Sequence, residues 1–368
     1  MSTATSPSRS SDRGRLGLLP RTPTLEDESQ LAFYETLRNF AIGEMFPRLS
    51  AQLATNAEQQ KLPERGAKLP LRQLRALAEP LPLAATWKRV MRSQQQLAWD
   101  KIRSSLLADA ARYEAELDAA ESAHPERIHV EPNFVTPDYA KFPIHLQPGG
   151  YVGDALAGYV FHHGTKVFYQ GNNDQDELHV LNAQYVRPPA DGAVRRILDV
   201  GCSIGQGTTA LKQRYPDAEV WGLDVARPLV RYAHKRAVDL DVEVHFKQAL
   251  AEDTGFPDAH FDVVLAYILF HEVPARLFDK IVGEMRRILR PGGTFTIIDA
   301  PGANDGTLAA GNRFWLDFDS QYNCEPYSPA FVATNVPNLL ARNGFEVLHA
   351  GPMPSFLWHT QAEKPVAK

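Results

Sequence analysis

From Ile197 onward the chain alternates short apolar runs with helix-patterned stretches, and this alternation constrains the fold more than any other feature of the sequence. The pattern predicts strands at Ile197–Val200, Glu219–Leu223, Val242–Phe246, Phe261–Ala266 and Thr294–Asp299, with helices at Pro228–Ala237 and Arg276–Leu289. A helix at Phe331–Arg342 and a closing strand pair, Phe345–His349 and Ser355–Thr360, complete the expectation. Strands alternating with helices of about 10–15 residues imply βαβ units, a mostly parallel sheet and an α/β fold. Ligands of such sheets bind at the carboxyl ends of the strands, where the strand order reverses.

The first of these strands runs into Gly201-Cys202-Ser203-Ile204-Gly205-Gln206-Gly207-Thr208. Glycines permit positive φ and close backbone approach to a ligand. Their spacing, G-x-x-x-G-x-G, is not the dinucleotide fingerprint G-x-G-x-x-G, and no Lys-Ser/Thr pair follows to make a phosphate loop. The next strand ends in Trp221-Gly222-Leu223-Asp224, which places a carboxylate 25 residues beyond Asp199. A carboxylate there can accept both hydroxyls of a ribose, so the glycine turn and Asp224 together point to a nucleoside.

Five segments, LDVGCSIGQGT, GLDV, ALAEDTGFPDAHFDVV, RRILRPGG and TFTIID, occur in the order and spacing of class I S-adenosylmethionine-dependent methyltransferases, and residues 197–300 resemble the small-molecule branch of that family. The resemblance implies a seven-stranded Rossmann-like sheet with helices on both faces, S-adenosylmethionine as cofactor and S-adenosylhomocysteine as product. It implies that Asp199 anchors the turn and, indirectly, the amino-acid end of the cofactor. Gly201, Ser203 and Gly205 would let the cofactor lie on the backbone, and Asp224 would hold the ribose. Val225 would pack on the adenine, Ala251 and Glu252 would border it, and Tyr267 would lie on the floor between cofactor and acceptor. Ser203 stands where the family most often has glycine, and Leu250 where many members carry an adenine-binding Asp. Cys202 is expected as a small buried hydrophobe.

The remaining sequence divides by composition. Residues 1–25 are rich in Ser, Thr, Pro and Arg, lack the apolar core of a secretion signal and are expected to be a disordered tail. Residues 26–125 read as an all-helical domain for dimerisation or for capping the site. It opens with the capping box Thr24–Asp27, has a helix ending near Pro47 and includes one long helix from Thr86 to about Ser122. Pro125, Pro132, Pro137, Pro143, Pro148 and a glycine pair mark 126–150 as a linker, with 151–368 as the cofactor-binding domain. Within that domain, residues 301–330, which carry Asn304 and several aromatics, form an insertion expected to cover the substrate, with Trp315 and Tyr322 as candidate contacts. Acids outnumber bases, giving a net charge of −5, and no Asn/Asp-Pro-Pro-Tyr/Phe motif is present; both disfavour a nucleic-acid acceptor. No apolar run reaches the roughly 20 residues of a membrane span, and two cysteines give no disulfide framework, so a cytoplasmic protein is expected.

The catalytic candidates are histidines. His271, after the strand ending at Tyr267, is a candidate base with Glu272 to orient it, and His163 of the His162-His163 pair is a second. Neighbouring side chains point apart, so no metal site is expected from that pair. O-methylation of a small-molecule hydroxyl or carboxyl in secondary metabolism is the leading expectation. C-methylation of a quinone or polyketide is the alternative, since the HEVP and RPGG strings also resemble such enzymes. Two readings from other classes remain: a nucleoside-binding scaffold without catalysis, and a serine hydrolase, because Gly201–Gly205 also satisfies G-x-S-x-G, with Asp299 and His349 as triad partners.

Overall fold

The computed structural model describes residues 14–21, 24–62, 70–302, 310–355 and 357–366. Thr24 caps α1 (Leu25–Phe40) by accepting the Asp27 amide at 3.1 Å, and three acids occupy its first turn, where the helix dipole favours them. The chain does not stop at Pro47. A π-turn, Ala41–Met45, carries it directly into α2 (Phe46–Gln59), with Pro47 in the first turn of that segment. Proline lacks the N–H that a regular helix would use there, and a widened turn accommodates the loss without ending the helix.

α3 (Leu71–Ala78) and α4 (Pro82–Leu107) follow, and the long helix expected through Ser122 breaks at Ala108–Asp109 before α5 (Ala110–Ala123). The break lets Ile102 and Leu106 on one side and Tyr113 and Leu117 on the other join a single buried cluster. Residues 14–21, expected within the disordered tail, instead form a short antiparallel ribbon anchored by the Leu18 amide on the Asp174 carbonyl at 2.8 Å. The rest of that expectation, residues 1–13, lies outside the described residues.

The sheet has eight strands. β1 (Ile128–His129) comes from the expected linker and adds an edge strand to the seven anticipated. β2 (Arg196–Val200), β3 (Glu219–Asp224), β4 (His245–Gln248), β5 (Phe261–Tyr267) and β6 (Leu289–Asp299) are parallel, and the hairpin β7 (Glu346–Pro352) and β8 (Trp358–Glu363) closes the sheet antiparallel to β6. The order is β1-β4-β3-β2-β5-β6-β8-β7, so it reverses at β2, whose carboxyl end carries the glycine turn. α7 (Glu177–Tyr185), α8 (Gln206–Arg214), α9 (Arg227–Asp239) and α10 (Phe278–Ile288) pack with the sheet, and α6 (Ala157–Phe168) packs on α4 and α9. Leu198, Val200, Val263, Val264 and Phe295 are fully buried, as near-continuous apolar strands covered on both faces must be. Each such side chain contributes about 1.5–3 kcal/mol.

Residues 310–322 of the insertion belong to the helical module. Its helix α11 (Ala310–Tyr322) buries Phe314 and Phe318 against Trp87 of α4, alongside Leu49 and Leu53 of α2. Arg75 of α3 grips Asp317 through two hydrogen bonds of 3.1 and 2.8 Å. Asn304 lies outside the described residues. The helical module and the sheet are thus stitched together, and the space between them is the site.

Candidate active site

A cavity of about 770 Å³ opens at the carboxyl ends of β2, β3, β5 and β6 and is roofed by α1, the π-turn and α11. On its sheet side the turn after β2 is pinned by the Gly201 and Cys202 amides, both donating to the Leu223 carbonyl at 2.7 and 2.9 Å. Gly201 has φ +74°, and a Cβ there would stand 2.9 Å from the Leu269 side chain, so glycine is required on both counts. Asp224 accepts the Ser203 amide on one oxygen and the Ala226 amide on the other, each at 2.9 Å. A carboxylate oxygen has a second lone pair, so both remain able to accept a ribose hydroxyl. Asp199 accepts the Thr208 hydroxyl at 2.7 Å.

These two carboxylates are buried, and neither has an ion-pair partner among the described residues. Burial raises Asp199 to about 7, helped by Asp224, and raises Asp224 to about 6 against the pull of its backbone donors. A buried acidic pair without a protein cation fits a ligand that brings its own positive charge and two hydroxyls. S-adenosylmethionine, cationic at its sulfonium and amino group, is such a ligand.

Asp199, Gly201, Ser203, Asp224, Val225, Ala251 and Tyr267 all line the cavity. Gly205 does not: its φ is +76° and a Cβ would collide with Phe246, so it serves the packing of α8 on the sheet. Glu252 also lies off the lining and accepts the Tyr139 hydroxyl at 2.9 and 3.1 Å, and it is Tyr139, from the expected linker, that reaches the cavity. Ala249 and Ala251 line the wall on either side of Leu250, which forms a bridge with Asp253 instead.

Opposite the glycine turn stands a histidine–carboxylate pair. His271 Nδ1 lies 2.5 Å from Asp299 Oδ1, and Asp299 Oδ2 accepts the Phe270 amide at 2.9 Å. Asp299 ends β6 and His271 follows β5, so two adjacent parallel strands deliver the pair. Glu272, expected to orient His271, instead faces His145 Nε2 at 3.4 Å. Burial pushes the His271 imidazolium down, but Asp299 more than offsets this and holds it at about 9. Between strand and histidine, Ile268 adopts φ +53°. A β-branched residue in the left-handed region is strained, and such strain concentrates at functional sites.

The other candidates separate. His163 is buried in α6 and away from the lining, and burial lowers it to about 4. Trp315 lines the cavity, whereas Tyr322 stacks on Phe318 with Lys88 5.5 Å from its ring. The hydrolase triad is not assembled: Ser203 Oγ is buried without a hydrogen-bond partner, Asp299 is engaged by His271, and His349 lies on β7 beside His359. Sequence reasoning missed Tyr139, His145, Arg38, Ile42 and Phe46, and offered Asp299 only as a hydrolase triad partner. Asp299 was legible as an acid ending a strand beside the His271 strand. Arg38 interrupts the apolar spacing of α1 seven residues after Leu31.

The family model described as a methyltransferase domain matches residues 197–293. Residues 197–293 are a class I methyltransferase domain. The cofactor of this family is S-adenosylmethionine, in agreement with the acidic pair and the glycine turn. Demethylmenaquinone methyltransferase of Thermus thermophilus is 37% identical over 124 residues, covering 34% of this chain and 56% of that protein. Fatty-acid O-methyltransferase of Mycolicibacterium smegmatis is 34% identical over 131 residues, covering 35% of this chain and 46% of that protein. The chain therefore spans about half the length of these relatives. O-methyltransferase cnsE of Penicillium expansum is 29% identical over 249 residues, 62% of this chain and 80% of that protein, and so extends beyond the methyltransferase domain. Among solved structures, a putative O-methyltransferase of Nostoc punctiforme aligns with TM-score 0.43 and 19% identity over 56% of this chain and 60% of its own. No helix among the described residues is long and apolar enough to cross a membrane.

Proposed function

We propose that the protein methylates a hydroxyl group of a small, largely apolar acceptor. The observation that carries this reading is the His271–Asp299 pair, set in the same cavity as the glycine turn and Asp224. When bound, S-adenosylmethionine supplies a methyl group already activated on sulfur. What remains for the protein is to place an acceptor oxygen about 3 Å away and in line, and to remove its proton. Asp224 and the turn hold the nucleoside. Ile42, Phe46 and Trp315 exclude water and enclose an apolar acceptor. His271 takes the hydroxyl proton at Nε2, while Asp299 fixes the Nδ1–H tautomer and stabilises the imidazolium that results.

Because His271 is held at about 9, it is an imidazolium at neutral pH and becomes a base as pH rises. Turnover on a hydroxyl acceptor should climb about tenfold per pH unit up to roughly 9. A carboxylate acceptor, ionised across that range, would show a flat profile. The test is a pH–rate profile on whichever acceptor a screen of phenols, enols and carboxylic acids yields. A flat profile with full activity in His271→Ala would remove the base from the account.

A second reading rests on the similarity to demethylmenaquinone methyltransferase. On a quinol ring carbon the same imidazole would take the ring proton displaced by the new carbon–carbon bond. A place in secondary metabolism, a cytoplasmic setting and a homodimer formed through the helical module accompany the proposal. Sedimentation of the full chain checks the dimer.

A further inference from the structure

The turn Ile144–Leu146 joins the helical module to the sheet domain, and His145 occupies it with φ +55°, followed by Leu146 at φ +61°. Two consecutive side-chain-bearing residues in the left-handed region are strained, and a fold keeps them only where neighbours fix them. α4 fixes the backbone here: Gln95 Nε2 and Trp99 Nε1 both donate to the His145 carbonyl, at 2.5 and 2.7 Å. The imidazole reaches the cavity, where the Phe168 ring of α6 stands 5.1 Å from it between centres.

Each ring nitrogen meets a carboxylate from a different wall. Nδ1 lies 3.0 Å from Glu325 Oε1, and Nε2 lies 3.4 Å from Glu272 Oε1. Glu325 belongs to the roof: it stands just beyond α11, and its amide donates to the Asp319 carbonyl of that helix at 3.4 Å. Glu272 belongs to the floor, next to His271 in the turn after β5. Asn323 adds to the roof side, with Nδ2 3.2 Å from Nδ1 and donating to the same Glu325 oxygen at 2.9 Å. An ionised carboxylate can only accept, so a ring that satisfies one on each nitrogen carries a proton on both, whereas a neutral imidazole turns a lone pair on one of them. Burial pulls the ring toward neutrality, and Glu325 and Glu272 more than offset this, to about 10. The ring's charge also acts on Asp319 of α11, the two acids act on His271, and Arg38 of α1 meets Gln95 Oε1 at 3.4 Å. With the cation removed, acids from opposite walls would be left to repel each other across the width of one ring.

We infer that His145 is a positioning residue that clasps the roof of the acceptor half to its floor, with Glu325 on one ring nitrogen and Glu272 on the other. Its part in methyl transfer is indirect. Glu272 adjoins His271 in the chain, so the clasp steadies the turn that carries the proposed base while it holds the end of α11 over the acceptor. The inference deepens the proposed methyl-transfer reading and rests on it for the identity of the acceptor half.

The experiment combines amide hydrogen exchange of the full chain, with and without saturating S-adenosylhomocysteine, and nitrogen NMR of its isotope-labelled histidines. The wild type should show both His145 nitrogens protonated at neutral pH, a signal assigned by its absence from His145→Gln. In His145→Gln the amides of residues 310–326 and 270–273 should exchange about tenfold faster, while those of 197–210 and 219–226 and the affinity for S-adenosylhomocysteine stay as in the wild type. Glu272→Gln should reproduce that opening, and the double variant should add little to either single one, because all three undo the same clasp. His145→Lys, which keeps a positive charge, should restore most of the protection. Melting curves verify that each variant is folded, and where His145→Gln is not, the ring signal of the wild type and Glu272→Gln decide. A singly protonated ring in the wild type, unchanged exchange in His145→Gln or Glu272→Gln, or equally fast exchange in His145→Lys and His145→Gln would overturn the inference, the last by assigning the effect to packing. So would loss of S-adenosylhomocysteine binding in His145→Gln. If the wild type itself does not take up S-adenosylhomocysteine, the methyl-transfer reading fails, and exchange in the ligand-free chain still decides the clasp.

Discussion

The two halves of the cavity are built by different means. The cofactor half is made from strand ends and one glycine turn, and its key contacts are backbone amides gripping Asp224 and the Leu223 carbonyl. The acceptor half is assembled from α1, the π-turn, the segment around His145 and α11, pieces separated by up to hundreds of residues and joined through side chains such as Arg38, Gln95 and Asn323. Backbone geometry tied to a central sheet fixes a cofactor site firmly, whereas side chains on a separate helical layer can be altered without touching it. On the proposed reading, substrate choice would belong to the helices.

If that division holds, each half should fail separately. The largest expected effect is His271→Ala, which should lower turnover on a hydroxyl acceptor about 10²–10⁴-fold and leave S-adenosylhomocysteine affinity unchanged, as read by steady-state kinetics and calorimetry. Asp299→Asn should remove the charge that raises His271, so the pH–rate limb near 9 should move toward the ordinary imidazole value with about a 10²-fold loss of turnover at high pH. A limb that stays at 9 would detach Asp299 from the base. Phe46→Ala, at the start of α2, should raise the acceptor KM about tenfold with cofactor affinity intact; a matching loss of cofactor binding would break the division. The smallest effect is a pH dependence of the cofactor half. Asp224 sits at about 6 because burial disfavours its charge, so S-adenosylmethionine should bind fully above pH 6 and weaken by several-fold as the carboxylate protonates below it. Calorimetry from pH 5 to 8 on wild type and Asp224→Asn separates this from general acid unfolding.

The same division explains what could be read from the sequence. Strands β2, β3, β5 and β6, the turn at Gly201 and Asp224 were legible because local apolar runs and glycine spacing are determined within about 100 residues. Gly205 was read as a ligand contact, yet its positive φ serves the approach of Phe246, and sequence alone does not separate these uses. The helix through Pro47 was misread because a π-turn leaves no compositional mark. Asp299 was read only as a hydrolase triad partner and His145 not at all, because their places depend on parallel register and on a turn at φ +55°, both set by tertiary packing. Tyr322 and Trp315 looked equivalent in sequence; one helix face separates them, with Trp315 in the cavity and Tyr322 against Lys88.

The central claim is that Asp224 and the glycine turn form an S-adenosylmethionine site independent of the helical roof. Calorimetric titration of S-adenosylhomocysteine into the wild type, Asp224→Ala and Phe46→Ala tests it most directly. The account predicts micromolar binding to the wild type, a 10–100-fold loss in Asp224→Ala from the removal of one or two charge-assisted hydrogen bonds, and wild-type affinity in Phe46→Ala. Folded wild type that does not bind, or Asp224→Ala that binds as tightly as wild type, would contradict it.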